Sequence, residues 1–467
     1  MPNFKNIFRY MRHYGLRSTV GLVREKVFVD KKRFDADKRR ALPSFPTEYS
    51  KAEMPSTQGN ILPQNVMYCL HYFYPKKRGG TERFTLNLAK ENIKRGGKST
   101  VLVLEANEPE SAYTERLGDI LYRYYEYDGV SCIGFRYKRA PLGLYYKRIV
   151  TEDGALEAFA EHICSLRGIT LVHATYPQPF VPFLLKCKKI GIPYIVTCTD
   201  FCMCCHYATM VDDRGDFCKC SEGGTRCSAV CPTYGCRDFG KRQEAAELVL
   251  REAELVTVPS EFVAKILSAE FPTVSLLPVN HGIDGAFVRS KKRESAKSFV
   301  YAGTISPLKG IHLLIEAFSR LCGEELSLKI YGSGDGKYEA RLRAMADGRV
   351  EFMGAAPASL MPEIYSAADC VIIPSMWYET YNFVLREAMA TGALVIAADI
   401  GAMSEAVSDG KNGFLFEAGS ADSLHEALKR ALDFNFDSYE GREFPTVKDE
   451  GDIYSVIYHA AAENSGK

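Results

Sequence analysis

The feature that most constrains this chain is a recurring order: a short apolar run rich in β-branched residues, a glycine-bearing loop, then residues at helical spacing. Residues 66–72 read as a strand, 75–80 as a loop closed by Gly79-Gly80, 82–94 as a helix through Phe84, Leu88 and Ile93, and 100–104 as a second buried strand. Near-continuous apolar strands linked by a helix are covered on both faces, so this is a βαβ unit of a parallel sheet. The alternation recurs at 170–174, 194–198 and 255–259. A charged break at 289–297 then opens a second series, with strands expected at 299–302, 326–331, 350–352, 370–373 and 394–398. The fold class is therefore α/β, two doubly wound parallel-sheet domains with a ligand expected in a cleft facing the carboxyl ends of both sheets.

Charge is unevenly distributed. The whole chain of 467 residues carries a net +1, which excludes a strongly basic nucleic-acid binder on overall charge, yet residues 1–40 hold 12 Lys/Arg against 4 Asp/Glu, a net +8. Phe4, Ile7, Phe8 and Met11 make an apolar stripe at helical spacing within that segment, and such a helix can lie on an anionic membrane surface or pack on its own domain with a solvated basic face. Residues 43–60, rich in Pro, Ser and Thr, read as a linker. No stretch reaches the 18 or so apolar residues of a membrane span; the best, 388–398, ends at Asp399. The N-terminus interleaves Lys5, Arg9, Arg12 and Arg17 with apolar residues, unlike a secretory signal, so the expected location is cytoplasmic, peripheral on the inner face of the cell membrane.

The second series carries the strongest set of chemical residues: Gly303, Lys309-Gly310, Gly332-Ser333-Gly334, and Glu379 through Glu387 to Gly392. Each lies where a strand gives way to a helix, where free N–H groups and the helix dipole receive an anion. Lys309 is a point charge suited to a diphosphate, while Glu379 and Glu387 are acceptor-only carboxylates able to hold sugar hydroxyls.

In that order, these residues resemble the retaining glycosyltransferases of family 4, with the two-domain GT-B fold, over residues 65–432. The resemblance rests on Phe73-Tyr74-Pro75 with Gly79-Gly80-Thr81-Glu82, on Asn280-His281-Gly282-Ile283-Asp284, on the Gly303 to Gly310 segment, and on the Glu-x7-Glu motif from Glu379 to Glu387. It implies a nucleoside-diphosphate sugar donor, a glycan or lipid-linked acceptor, no nucleic acid, and hexosyl transfer with retention in cell-surface polysaccharide synthesis. It also implies donor-binding roles for Gly79, Gly80, Gly303, Thr304, Lys309, Gly332, Asn382, Phe383 and Glu387, with Glu379 near the reacting carbon. Thr304 stands where the family usually has Arg, Asn382 where it has a glycine, and Thr175 and Thr199 where many members carry a histidine. His173 and Asp200, at the ends of neighbouring strands, are the candidates left for the catalytic group. The implied domains are an extension and linker at 1–59, an acceptor-side domain at 60–285, a nucleotide-sugar domain at 286–435, and a segment at 436–467 that crosses back. No cofactor is expected for catalysis. A nucleotide-sugar epimerase on the same fold is the alternative, and a zinc-stabilised nucleic-acid-binding module ranks below it.

Nine of the 15 cysteines lie between Cys198 and Cys236, an insertion in the first domain. Without a secretory signal a disulfide framework is disfavoured, and metal is the leading reading, with an iron–sulfur cluster or unliganded thiols as the others. Some family 4 members carry a sparser cysteine set after the same strand, and that resemblance selects Cys205, Cys218, Cys227 and Cys231 as ligands of a structural zinc.

Overall fold

The computed structural model describes residues 42–56, 61–105, 108–139, 149–231, 238–288 and 293–465. The basic segment 1–40 and Cys236 lie outside them. The described chain forms two compact units, one of residues 42–281 with 447–465 and one of residues 282–446.

In the first unit, β1 (Asn65–Leu70), β2 (Lys98–Leu104), β3 (Glu115–Leu117), β4 (Ile120–Tyr127), β5 (Val130–Tyr137), β6 (Leu171–Ala174), β7 (Tyr194–Thr197), β8 (Leu255–Val258) and β9 (Leu276–Pro278) share one sheet. Their order is β3-β4-β5-β2-β1-β6-β7-β8-β9. The β3/β4 and β4/β5 pairs are antiparallel and the rest parallel, so the expected all-parallel sheet is corrected at one edge. The β4–β5 hairpin turns at Asp128-Gly129, both with positive φ (50° and 76°), a dipeptide suited to a tight turn. Its β4 strand keeps one half-exposed face, so it lacks the apolar run of its buried neighbours.

The core of this unit is closed by the last helix. Tyr454, Ile457, Tyr458 and Ala461 of Val447–Ser465 pack with Tyr68, Phe84, Leu88, Val101 and Ile195 in one buried cluster. Beneath them Thr197, Thr257 and His173 form a polar row with the Tyr454 and Tyr458 hydroxyls. The expected linker is partly structure: Lys51 bridges Leu276 on β9, and the Tyr49 hydroxyl donates to Glu261 at 2.6 Å.

The second unit is β10 (Ser298–Ala302), β11 (Ser327–Tyr331), β12 (Val350–Gly354), β13 (Cys370–Ile373), β14 (Leu394–Ala398) and β15 (Gly413–Phe416), all parallel, in the order β12-β11-β10-β13-β14-β15. The strand order reverses between β10 and β13, the point at which ligands bind in open α/β sheets. Among the described residues no helix is long and apolar enough to cross a membrane.

Candidate functional site

Glycines bring three loops of the second unit together at that reversal. A Cβ on Gly332 would fall 1.9 Å from the Gly303 carbonyl oxygen, and one on Gly334 1.8 Å from that of Ile305, so the loops after β10 and β11 touch only because neither glycine has a side chain. Gly310, at φ 68°, turns the chain into the helix Ile311–Ser319, and a Cβ there would meet the Pro374 carbonyl at 1.9 Å. Met376 N–H donates to Leu308 O at 2.7 Å, which stitches the loop after β13 to the loop after β10.

This joins Lys309 to Glu379. Lys309 Nζ donates to Glu379 Oε1 at 2.6 Å, Ser375 Oγ to the same oxygen at 2.7 Å and Trp377 Nε1 at 2.8 Å; the ammonium lies 5.1 Å from the indole ring centre. Burial on its own would raise the Glu379 pKa. Lys309, Ser375 and Trp377 outweigh it and hold the carboxyl below its usual value, so it is ionised. The Glu379 carbonyl accepts from Ala402 N–H at 2.8 Å, and Gly401 leaves no room for a Cβ beside it.

Asn382 caps the helix Phe383–Ala390 from the left-handed region, φ 65°, with its side chain accepting from Leu385 N–H at 3.0 Å. Glu387 is buried within this helix at 3 % exposure. Arg386 beside it is buried too, its guanidinium 3.7 Å from the Tyr381 ring centre and bonded to the Tyr381 carbonyl. Gly303, Thr304, Lys309, Gly332 and Glu379 therefore lie in the loops at the carboxyl ends of β10, β11 and β13, and Asn382, Phe383 and Glu387 belong to the helix that follows Glu379. Sequence reasoning missed Ser375 and Trp377, although the single tryptophan two residues before Glu379 was a visible signal.

In the first unit Gly79 and Gly80 open the helix Gly80–Lys94, and the Glu82 side chain folds back so closely that a Cβ on Gly79 would meet its Oε2 at 2.4 Å. Thr199 bonds the Thr81 hydroxyl at 2.8 Å and the Thr175 carbonyl at 3.0 Å, and Thr175 bonds Thr85 at 2.7 Å. Both threonines are thereby tied to this helix. Asp200 accepts from Cys202 N–H at 2.9 Å, and burial pushes its carboxyl up to about 6.

His173 is corrected. It is fully buried, with Nδ1 2.8 Å from the Tyr458 hydroxyl and Nε2 2.6 Å from the Thr197 hydroxyl, and burial drives its pKa down to about 3. Both nitrogens are spent inside the core, so it is a structural residue. A different histidine stands at the strand reversal of this unit, between β1 and β6. His71 stacks on Tyr176 with ring centres 3.6 Å apart, and its buried Nδ1 has no hydrogen-bond partner among the described residues.

Cys205, Cys218, Cys227 and Cys231 line one small cavity with Cys204, Cys220 and His206. Burial raises the Cys218, Cys227 and Cys231 thiols, and Cys205 adds to each. The thiol chemistry suits zinc, but the side chains as they stand do not converge. Among the described residues no three His, Cys, Asp or Glu side chains form a group able to hold a metal ion. All described cysteines are free of disulfides.

Residues 284–440 match the family model of glycosyl transferases group 1. The match includes the whole Lys309–Glu379 site. A lipopolysaccharide 1,2-N-acetylglucosaminetransferase of Salmonella typhimurium is 32 % identical over 42 % of this chain and 60 % of its own length. A D-inositol 3-phosphate glycosyltransferase of Corynebacterium glutamicum is 33 % identical over 32 % of this chain and 40 % of its own. The chain thus spans between two fifths and three fifths of these two relatives. Among solved structures, Anabaena HepE in complex with UDP and glucose aligns with a TM-score of 0.55 and 17 % identity over 83 % of this chain and 97 % of that one. Sucrose-phosphate synthase from Thermosynechococcus elongatus aligns at 0.57 and 19 %, over 86 % and 97 %. At these identities the likeness is one of fold, and with two sheet-based α/β units and these neighbours the fold is GT-B.

Proposed function

We propose that this protein is a retaining glycosyltransferase that moves a hexosyl unit from a nucleoside-diphosphate sugar to a glycan or lipid-linked acceptor, in the synthesis of a cell-surface polysaccharide. The observation that carries this is the Lys309–Glu379 pair at the strand reversal of the unit that matches the group 1 model. An ammonium has three N–H donors, and Lys309 spends one on Glu379, so two remain for a diphosphate. Glu379 is an ionised acceptor for the sugar, Glu387 is assigned to the ribose, and the first amides of Phe383–Ala390 face the charge of the phosphates. Gly79 and Gly80 keep the donor-binding role that the resemblance implies. The leaving diphosphate takes the acceptor proton on the face it departs from, through an oxocarbenium-like transition state, so positioning and charge stabilisation supply the rate. Asp200 is the group assigned to the acceptor side.

The relatives support this reading: one is a lipopolysaccharide 1,2-N-acetylglucosaminetransferase, and a structural neighbour holds UDP and glucose. The net charge of residues 1–40 supports a peripheral position on an anionic membrane, at the cytoplasmic face. For the cysteines we propose a structural zinc on Cys205, Cys218, Cys227 and Cys231, supported by their shared cavity and requiring side-chain rotation to converge.

The deciding experiment incubates the full chain with a panel of nucleoside-diphosphate sugars, with and without lipid-linked acceptors. Acceptor-dependent release of nucleoside diphosphate, with the anomeric configuration of the product retained by NMR, is expected. Turnover of the sugar without any acceptor identifies an epimerase instead, and no turnover of any donor overturns the proposal.

A further inference from the structure

The three donors that reach Glu379 all converge on one oxygen. Lys309 Nζ, Ser375 Oγ and Trp377 Nε1 stand 2.6, 2.7 and 2.8 Å from Oε1. A carboxylate oxygen has two lone pairs, so three donors saturate it. Oε2 takes no bond from a described residue and is not a buried atom, while the side chain keeps 10 % exposure. Oε2 is the oxygen that this carboxylate presents outward.

We infer that Trp377 and Ser375 are positioning residues. They clamp Glu379 by Oε1 so that it meets the donor sugar ionised and through Oε2 alone, accepting one hydroxyl instead of chelating a vicinal pair across both oxygens. This deepens the reading proposed above and rests on it for the identity of the ligand. Trp377 is central because its N–H holds the carboxylate while its ring lies near the ammonium at 5.1 Å, so one side chain fixes both members of the ion pair. Ser375 lies between Pro374, whose carbonyl abuts Gly310, and Met376, whose N–H bonds Leu308, so its backbone is held against the loop that carries Lys309. Donors to the charged form favour ionisation; removing either one raises the Glu379 pKa.

The test uses Trp377→Phe, which keeps a ring and deletes the N–H, and Ser375→Ala. In protein carrying glutamate labelled with 13C at Cδ, the Glu379 resonance is the one absent from Glu379→Gln. Its titration midpoint is expected below the usual carboxylate range in the wild type, and higher by roughly one pH unit in each variant, the size expected for losing one bond to a charged acceptor. An unmoved midpoint in both variants overturns the inference. With the best donor, kcat is expected to fall roughly tenfold with the donor KM changed less than about threefold, the acid limb of the rate profile moving upward with the midpoint. Nucleoside diphosphate alone, lacking the sugar, is expected to bind both variants as it binds the wild type. Loss of that binding overturns the positioning role, since Trp377 and Ser375 would then build the nucleotide site itself. A wild type inert toward every nucleotide sugar, with the midpoint shift intact, removes the transferase reading and leaves the clamp standing.

Discussion

Lys309 Nζ and Glu379 Oε1 lie 2.6 Å apart although 70 positions separate them in sequence, because β10 and β13 are neighbours and each residue follows one of those strands. The pair is partly buried, with side-chain exposures of 24 % and 10 %. Breaking it from either side therefore has two consequences that can be separated.

Lys309→Ala leaves Glu379 buried without its counter-charge. Stability is expected to fall by about 1–3 kcal/mol, less than for a fully buried pair because solvent reaches the ammonium. Transfer is expected to fall by at least about a hundredfold, as for loss of a charge-stabilising group. The double variant Lys309→Ala/Glu379→Gln should regain most of the stability and none of the activity, as read by chemical denaturation and donor turnover. Glu387→Ala is likewise expected to abolish turnover with the fold retained.

Asn382 combines a left-handed backbone with a helix cap. Asn382→Gly keeps the conformation and is expected to cost under about 1 kcal/mol, whereas Asn382→Val loses the cap and strains the backbone, for about 2–3 kcal/mol. Thermal denaturation of the two variants side by side measures the difference. Equal losses would show that the left-handed backbone contributes nothing.

His173 is neutral in the folded chain, and its pKa falls from an ordinary 6.5 to about 3 on burial. A histidine lowered in this way contributes its full stability above pH 6.5 and loses it as pH drops toward 3, because unfolding then takes up a proton. The wild-type Tm is expected to fall through that window. His173→Phe should be less stable at pH 7.5 by about 1–3 kcal/mol, since the Tyr458 and Thr197 hydroxyls each lose one hydrogen bond, yet lose less on acidification.

The zinc proposal predicts about one zinc per chain in protein purified without added metal, read by elemental analysis. Cys205→Ser with Cys231→Ser should remove it and lower the Tm. A fully folded, metal-free wild type would end the proposal.

The helix Val447–Ser465 contributes Tyr454, Ile457 and Tyr458 to the core of the first unit. At roughly 1.5–3 kcal/mol for each large apolar side chain buried, a chain ending at residue 446 is expected to leave that unit unfolded. Circular dichroism and proteolysis of the shortened chain would read this, and a native-like result would refute it.

Much of the fold was legible in the chain itself, because buried parallel strands are apolar throughout and the glycine loops punctuate them. Strands β1, β2, β6, β7 and β8, and five of the six strands of the second unit, fall where apolar runs place them. What escaped is the half-exposed β4, the buried β5, whose apolar run is broken by Ser131, Gly134 and Arg136, the three-residue β3 and β9, and the four-residue β15. Site residues divide along the same line. Lys309, Glu379 and Glu387 were candidates from residue type and order, and the structure joins the first two. That His173 is a core residue and that Ser375 and Trp377 grip Glu379 follow from contacts between distant segments, which no local pattern encodes.

The sequence by itself therefore determined two α/β units, the loops that carry the chemistry, and the charge those loops offer an anion. Tertiary structure alone decided which side chains are spent inside and which stay open. Strand adjacency places Lys309 against Glu379, the last helix closes over His173, and three donors fill one oxygen of Glu379 while the other takes no bond from a described residue. The physical reason is that hydrophobic periodicity is a local property of the chain, whereas hydrogen-bond satisfaction in a core is settled only when distant elements pack.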